Sequence, residues 1–414
     1  MQQFTFKEKL KHLFGFPVIV AALGYFVDVY DLLLFGIVRV PSLKDMGLDV
    51  DIAGTIILNF QMVGLLLGGI LWGVLGDKKG RLSVLFGSIL VYSLANIACG
   101  FLPQMHFTDK VTIYATLRFI AGVGLAGELG AGITLVSESL PKELRAIGTS
   151  IVAGFGVLGA VVAQLTVELA GSWTLAYFIG GGLGLLLLFL RIGVFESGLY
   201  KNLEKESGIS KGNFFSFFTN KKRFFKYIAC ITIGMPIWFC IGILVVMSNQ
   251  FAAVFEIKNI NPGKAIMWCY IGISVGDIAS GFLSQALASR KKTILYMIFF
   301  TIIGVAGLLL GAASTENEYY FICTCIGIGS GFWAMFITIA AEQFGTNIRS
   351  TAATTIPNMV RGLVPVMLLG FDFFKADYGV ITAATIIAVI VFGSSIYATI
   401  TIDETHNRDM DFVE

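Results

Sequence analysis

Apolar runs of 20 to 28 residues recur along the whole chain, each closed by a cluster of charged or turn-forming residues. A hydrocarbon core of about 30 Å needs about 20 residues of helix, so every run predicts a membrane-crossing helix. The runs fall near 16–38, 52–75, 82–101, 112–136, 146–168, 173–193, 227–254, 263–287, 293–313, 319–341, 352–374 and 379–402, which makes twelve spans. Residues 195–226 form the one long hydrophilic connection and divide the spans six and six. The pattern therefore predicts an all-α membrane protein of two six-helix bundles, residues 1–194 and 227–414, joined by a linker at 195–226.

Composition sharpens this. Hydrophobic residues are 56% of the chain and charged ones 14%, with a mean hydropathy of +0.82; no soluble core needs so much. The 48 glycines suit helices that must approach closely where no hydrophobic effect drives them together. A net charge of +2 gives no reason to expect a nucleic-acid partner. The six cysteines lie in apolar runs without metal or redox spacing, and the three histidines, His12, His106 and His406, lie outside the spans. No cofactor or metal is implied, and no catalytic constellation argues for an enzyme. Of the 29 Lys and Arg residues, 21 fall on the side of the N-terminus, six on the other side and two within spans. The positive-inside rule then places both termini in the cytoplasm, as expected for a multi-pass protein of a bacterial inner membrane. Lys7, Lys9 and Lys11 precede the first run but no small-residue cleavage site follows it, so an anchored first helix is expected, not a removable signal.

A few charges interrupt the runs, and such charges are expensive in a bilayer. Asp28 and Asp31, at i and i+3, share one face of the first helix, and that face is expected to look into a bundle or a watery cavity. Two carboxylates so close in a low-dielectric setting cannot both ionise cheaply, so they titrate as a pair; Asp28, near mid-bilayer, is the expected proton carrier. Arg118 enters the fourth helix at a depth similar to Asp31 and is either its ion-pair partner or part of the coupling. Glu128 sits among Gly124, Gly127 and Gly130. In the eleventh helix Arg361 lies close to mid-bilayer between Pro357 and Pro365. A permanently charged planar guanidinium suits a carboxylate or phosphate, so Arg361 is expected to bind an anionic substrate, the rival being an ion pair with Asp277 of the eighth helix. Tyr30, Gln61, Gln164, Asn249 and Asn358 complete the expected lining. Trp238, Trp268, Tyr270 and Trp333 read as packing residues or interface anchors.

The two halves also repeat. Glu138-Ser-Leu-Pro-Lys-Glu-Leu-Arg145 follows the fourth run and Glu342-Gln-Phe-Gly-Thr-Asn-Ile-Arg349 the tenth, and 342 − 138 and 349 − 145 both equal 204. Gly73-Val-Leu-Gly-Asp-Lys-Lys-Gly-Arg81 after the second run has a degenerate counterpart in Gly281 to Lys292, where Gln285 replaces Asp77. Internal repeats of this kind mark secondary transporters with a substrate site between the halves.

The segment Gly73 to Arg81 resembles the loop 2-3 signature of the major facilitator superfamily, and Arg118-Phe-Ile-Ala-Gly122-Val-Gly124 resembles its fourth-helix motif. Asp28-Val-Tyr-Asp31 and Gly127-Glu128-Leu-Gly130 are similar to the proton-coupled metabolite, aromatic-acid and phosphate symporter branches. The resemblance implies the major facilitator fold and alternating access, with a cytoplasmic latch built from Gly73, Gly76, Asp77 and Arg81, from Glu138 and Arg145, and from Glu342 and Arg349. The expected partners are a small organic, anionic metabolite, protons and the bilayer, and the expected state is a monomer. A proton-coupled exporter, an uncoupled facilitator and a non-transporting membrane sensor are the alternatives.

Overall fold

The computed structural model describes residues 12–79, 81–105, 109–141, 144–195, 213–345 and 348–406. The expected linker falls mainly outside the described residues; its described end forms the short helix Ser216–Thr219. The first half contains span 1 (Phe16–Asp45), span 2 (Val50–Lys79), span 3 (Arg81–Gly100), span 4 (Lys110–Leu125 and Glu128–Ser139), span 5 (Arg145–Gly156 and Gly159–Ala170) and span 6 (Trp173–Phe195). In the second half span 7 runs from Lys221 to Val254 through a π-helical stretch at Cys240–Val245, followed by span 8 (Pro262–Leu287), span 9 (Arg290–Leu309) and span 10 (Glu316–Ser330 and Trp333–Gln343). Span 11 comprises Arg349–Gly362 and the start of the long helix Val364–Thr401. That helix is not continuous, because Gly379 has φ 79° and ψ 170°, a conformation open only to a residue without a Cβ; span 12 starts there. The twelve crossings read from hydropathy are all present.

Local chemistry sets several boundaries. Asn220, Asn261 and Ser289 begin spans 7, 8 and 9 by accepting hydrogen bonds from the first free backbone N–H groups, and Thr315 with Glu318 forms a capping box at span 10. Span 1 continues seven residues beyond its expected end at 38, to Asp45. Hydropathy stops at the charge of Arg39, but that side chain is fully buried and donates to the Val246 carbonyl and to Asn249 Oδ1 (3.3 and 2.9 Å). The helix therefore runs on through it.

Packing follows the repeat. Span 2 lies along span 4 and span 8 along span 10, while across the seam span 2 meets span 11 and span 5 meets span 8. Near the face that carries the start of span 1, here called the terminal face, Thr351 Oγ1 donates to the Gly73 carbonyl (3.4 Å). Deeper in the seam Ser274 Oγ donates to the Gly154 carbonyl (2.6 Å) and Asn358 Nδ2 to the Ala126 carbonyl (2.9 Å). At the opposite face Arg39 ties span 1 to span 7, and Lys264 lies 4.0 Å from Glu168. Among the described residues the halves thus touch at both ends of the seam.

Candidate functional site

Where spans 1, 5, 7, 8, 10 and 11 converge, the seam holds a cavity of about 10 Å³, room for about one water molecule. Its walls are apolar and aromatic, with Tyr25, Trp238, Tyr270 and Trp333 as the large members and Arg361 as the sole charge. The Arg361 guanidinium lies against both indoles, 5.5 Å from the Trp238 ring and 5.4 Å from the Trp333 ring, a distance at which a cation is held by the ring faces. Its one hydrogen bond among the described residues goes from Nη1 to Asn358 Oδ1 (3.2 Å). Most of its donor capacity is thus open although the side chain is only 1% exposed.

Local breaks in the helices produce this geometry. Trp333 is the first residue of the second segment of span 10, which follows the break at Gly331 and Phe332. Asp277 Oδ1 accepts from the Ala334 N–H (3.0 Å), satisfying a free donor of the first turn. Asp277 therefore makes no ion pair with Arg361; it fixes the segment that carries Trp333. Pro365 marks the corresponding break in span 11, just past Arg361, and Trp238 precedes the π-helical stretch of span 7, a distortion frequent at functional sites.

The other expected lining residues lie elsewhere. Gln61 bridges helices inside the first half, donating to the Leu32 carbonyl (2.7 Å) and accepting from Arg118. Tyr30 donates to the Ala176 carbonyl (3.0 Å). Asn249 accepts from Arg39, and Gln164 donates to Glu168 near the opposite face (3.0 Å). Of the expected lining residues Arg361 alone lines the cavity, with Asn358 hydrogen-bonded to it.

The carboxylates occupy a different place. Tyr25, Val29 and Leu32 are the residues of span 1 that line the cavity; Asp28 and Asp31 are not among them, and Asp31 lies against Gly180 of span 6. Both are fully buried, and none of their four carboxyl oxygens has a hydrogen-bond partner among the described residues. Arg118 approaches Asp31 only through its backbone, donating from Nη2 to the Asp31 carbonyl (3.0 Å), and it also donates to Gln61 Oε1 (3.2 Å) and Asn96 Oδ1 (2.6 Å). The expected side-chain ion pair is absent. Glu128 instead pairs with Arg191, whose Nη1 lies 3.0 Å from Oε2 in a two-bond contact. Arg191 falls at the last turns of span 6, where charge counting groups it with the cations on the side of the N-terminus; only the fold shows it turned inward.

Among the latch residues, Gly73 and Gly76 are buried in span 2, and Gly73 meets Thr351. The side chains of Asp77, Arg81, Glu138 and Arg145 lie outside those described. Glu342 makes a two-bond pair with Arg290 at the start of span 9 (2.6 and 2.7 Å), and Arg349 Nε donates to the Ala341 carbonyl (3.2 Å). Arg290 belongs to the degenerate second-half loop, so that loop keeps a buried charge contact despite lacking the aspartate. Among the described residues no cluster of His, Cys, Asp and Glu could hold a metal ion.

The sequence pattern described as Major Facilitator Superfamily matches residues 21–369. A protein of Haemophilus influenzae named for metabolite transport is 26% identical, covering 94% of this chain and 96% of its own length. The benzoate transport protein of Acinetobacter baylyi is 25% identical over 81% of this chain and 78% of its own. The gentisate transporter of Corynebacterium glutamicum is 24% identical over 78% and 73%.

Proposed function

The chain belongs to the Major Facilitator Superfamily, and from that premise we propose that this transporter is a proton-coupled symporter of a small organic anion that carries a planar ring. The observation that supports this reading is Arg361, a buried guanidinium with open donors at the seam of the two halves, set against two indoles. A carboxylate can take those donors as a pair of charge-assisted hydrogen bonds, while Trp238, Trp333, Tyr25 and Tyr270 offer faces to a ring. Two of the relatives are named for benzoate and gentisate, both of which are a carboxylate on a ring. With a cavity of about 10 Å³, the halves must part to admit such a molecule, as alternating access requires.

Asp28 is the proposed proton carrier, with Asp31 as its neighbour. Both are buried without a partner, so an ionised form is costly until a proton neutralises it. Asp28 also lies in the electrostatic field of Arg361. A proton on Asp28 leaves the guanidinium charge to the substrate, and loss of that proton puts a competing carboxylate near Arg361 and favours release. The loop residues Gly73, Gly76, Asp77 and Arg81, with Glu138 and Arg145, are assigned to closure at the terminal face, which this reading puts in the cytoplasm of a bacterial cell.

Uptake of benzoate and gentisate into proteoliposomes, with and without an imposed proton gradient, tests the proposal. Accumulation above equilibrium with the gradient is expected, and Asp28→Asn should abolish it while exchange of internal for external substrate survives. Accumulation by Asp28→Asn at the wild-type rate would remove the proton assignment.

A further inference from the structure

The interior of the first half contains polar groups that the substrate cavity does not use. Tyr92 of span 3 is fully buried, and its hydroxyl has no hydrogen-bond partner among the described residues; the same holds for the neighbouring Ser93 hydroxyl. A buried hydroxyl left unpaired costs about 1–3 kcal/mol, so two adjacent ones, together with the four bare oxygens of Asp28 and Asp31, call for an occupant or a task.

Their arrangement is linear. Span 6 presents Gly180, Gly184 and Arg191 along one face, since residues 4 and 11 positions apart nearly coincide in angle on a helix with 3.6 residues per turn. A Cβ at Gly180 would collide with Asp31 Oδ1, one at Gly184 with Ser93 Oγ and, at 3.1 Å, with the edge of the Tyr92 ring. Arg191 holds Glu128, and both meet span 1 at Gly24, where a Cβ would collide with the pair. The file thus runs from Asp31 past Ser93 and Tyr92 to Glu128 and Arg191 near the terminal face, over about 16 Å of helix. Asp28 stands one helical turn from Gly24 beside it. The charged groups that act on the Tyr92 hydroxyl are Asp28 and Asp31 from span 1, Glu128 from span 4 and Arg191 from span 6.

We propose that the interior of the first bundle is a proton path separate from the substrate cavity, in which the Tyr92 hydroxyl relays the proton between the Asp28 and Asp31 carboxyl groups and the Glu128–Arg191 pair. The inference rests on the proton-coupled reading above. The Tyr92 hydroxyl and the Asp28 and Asp31 oxygens make no hydrogen bonds to one another in this structure, so a transfer needs a side-chain rotation or one intervening water to bring them within hydrogen-bond reach. The hydroxyl oxygen then accepts a proton from one side as its own proton leaves to the other, so Tyr92 is neutral before and after, and rotation of the hydroxyl resets it. Lining spans 1, 3, 4 and 6 rather than the seam, the path can deliver a proton while the seam stays closed around substrate.

The test is Tyr92→Phe, which removes one oxygen and keeps the ring. Infrared spectroscopy of the purified protein, transferred from H2O to D2O, reads the C=O stretch of buried protonated carboxyl groups without any substrate. Wild type should show such a band and exchange it, and Tyr92→Phe should exchange at least about tenfold more slowly. In proteoliposomes the variant should lose proton-driven benzoate uptake by a similar factor and keep its affinity for benzoate and its exchange rate. Equal D2O exchange in the two proteins, or a wild type with no protonated buried carboxyl band, overturns the relay. If neither benzoate nor gentisate is carried by wild type, the substrate reading fails while the infrared result still decides the relay. Should Tyr92→Phe fold poorly, 3-fluorotyrosine at position 92 keeps the hydroxyl and makes it a stronger acid; an exchange rate unchanged by fluorine is again the negative result.

Discussion

Arg118 and Arg361 are both fully buried deep within their spans, and their surroundings could hardly differ more. Arg118 donates to Gln61, Asn96 and the Asp31 carbonyl and stands 5.6 Å from the Tyr177 ring, so each of its three nitrogens has a partner. Arg361 has one hydrogen bond, to Asn358, and two indoles. Both guanidiniums are permanently charged. A guanidinium with every nitrogen engaged holds helices together; one with a single hydrogen bond keeps most of its donors for an anion. Position in the fold follows the same division, with Arg118 inside the first half and Arg361 on the seam between the halves.

The contrast is best broken at Arg361. Arg361→Gln should weaken benzoate binding about 30-fold or more, since removing one partner of a buried charge pair costs about 2–5 kcal/mol; Arg361→Lys, which keeps the charge but not the fork, should fall between. Calorimetric titration of the purified protein measures both, and affinities within twofold of wild type would take Arg361 out of the site.

Arg118→Gln should do the reverse, lowering the melting temperature of the purified protein because a buried network loses its centre, at a cost of about 3–5 kcal/mol. Its benzoate affinity should stay within about twofold among molecules still folded. A variant that melts like wild type yet no longer binds would erase the distinction between the two arginines.

A smaller effect is expected at the indoles. Trp333→Leu and Trp238→Leu each remove a ring face from the guanidinium, worth about 0.5–2 kcal/mol, and should weaken benzoate binding by about 2- to 30-fold. An aliphatic carboxylate such as acetate should lose less than benzoate, because only the aromatic ligand also stacks. Equal losses for both ligands would mean that the indoles serve the arginine alone.

Smallest of all should be Asp277→Asn. The amide oxygen still accepts from Ala334, so the cap on the Trp333 segment survives, and benzoate affinity should change less than about threefold, against about tenfold for Asp277→Ala, which deletes a cap worth about 1 kcal/mol or more. If Asp277→Asn is as damaging as Asp277→Ala, the carboxylate acts through its charge.

The sequence by itself determined the twelve crossings and the choice of Asp28, Asp31, Glu128 and Arg361 as the groups to explain. Hydropathy and the cost of buried charge act residue by residue, and both can be read from a string. It also carried the family signature, confirmed over residues 21–369. What it could not supply was partnership. The open state of Arg361, the cap that Asp277 places on the span bearing Trp333, the pairing of Glu128 with Arg191 and the burial of Arg39 each depend on residues far apart in the chain meeting across helices. Tyr25, Trp238, Tyr270 and Trp333 illustrate the limit. Their aromatic rings look like packing in a chain where 13% of residues are aromatic, while Trp268, of the same composition class, faces outward at 39% exposure. The rotation of each helix about its axis separates wall from surface, and that rotation is set by tertiary packing, to which the average polarity of a run is blind.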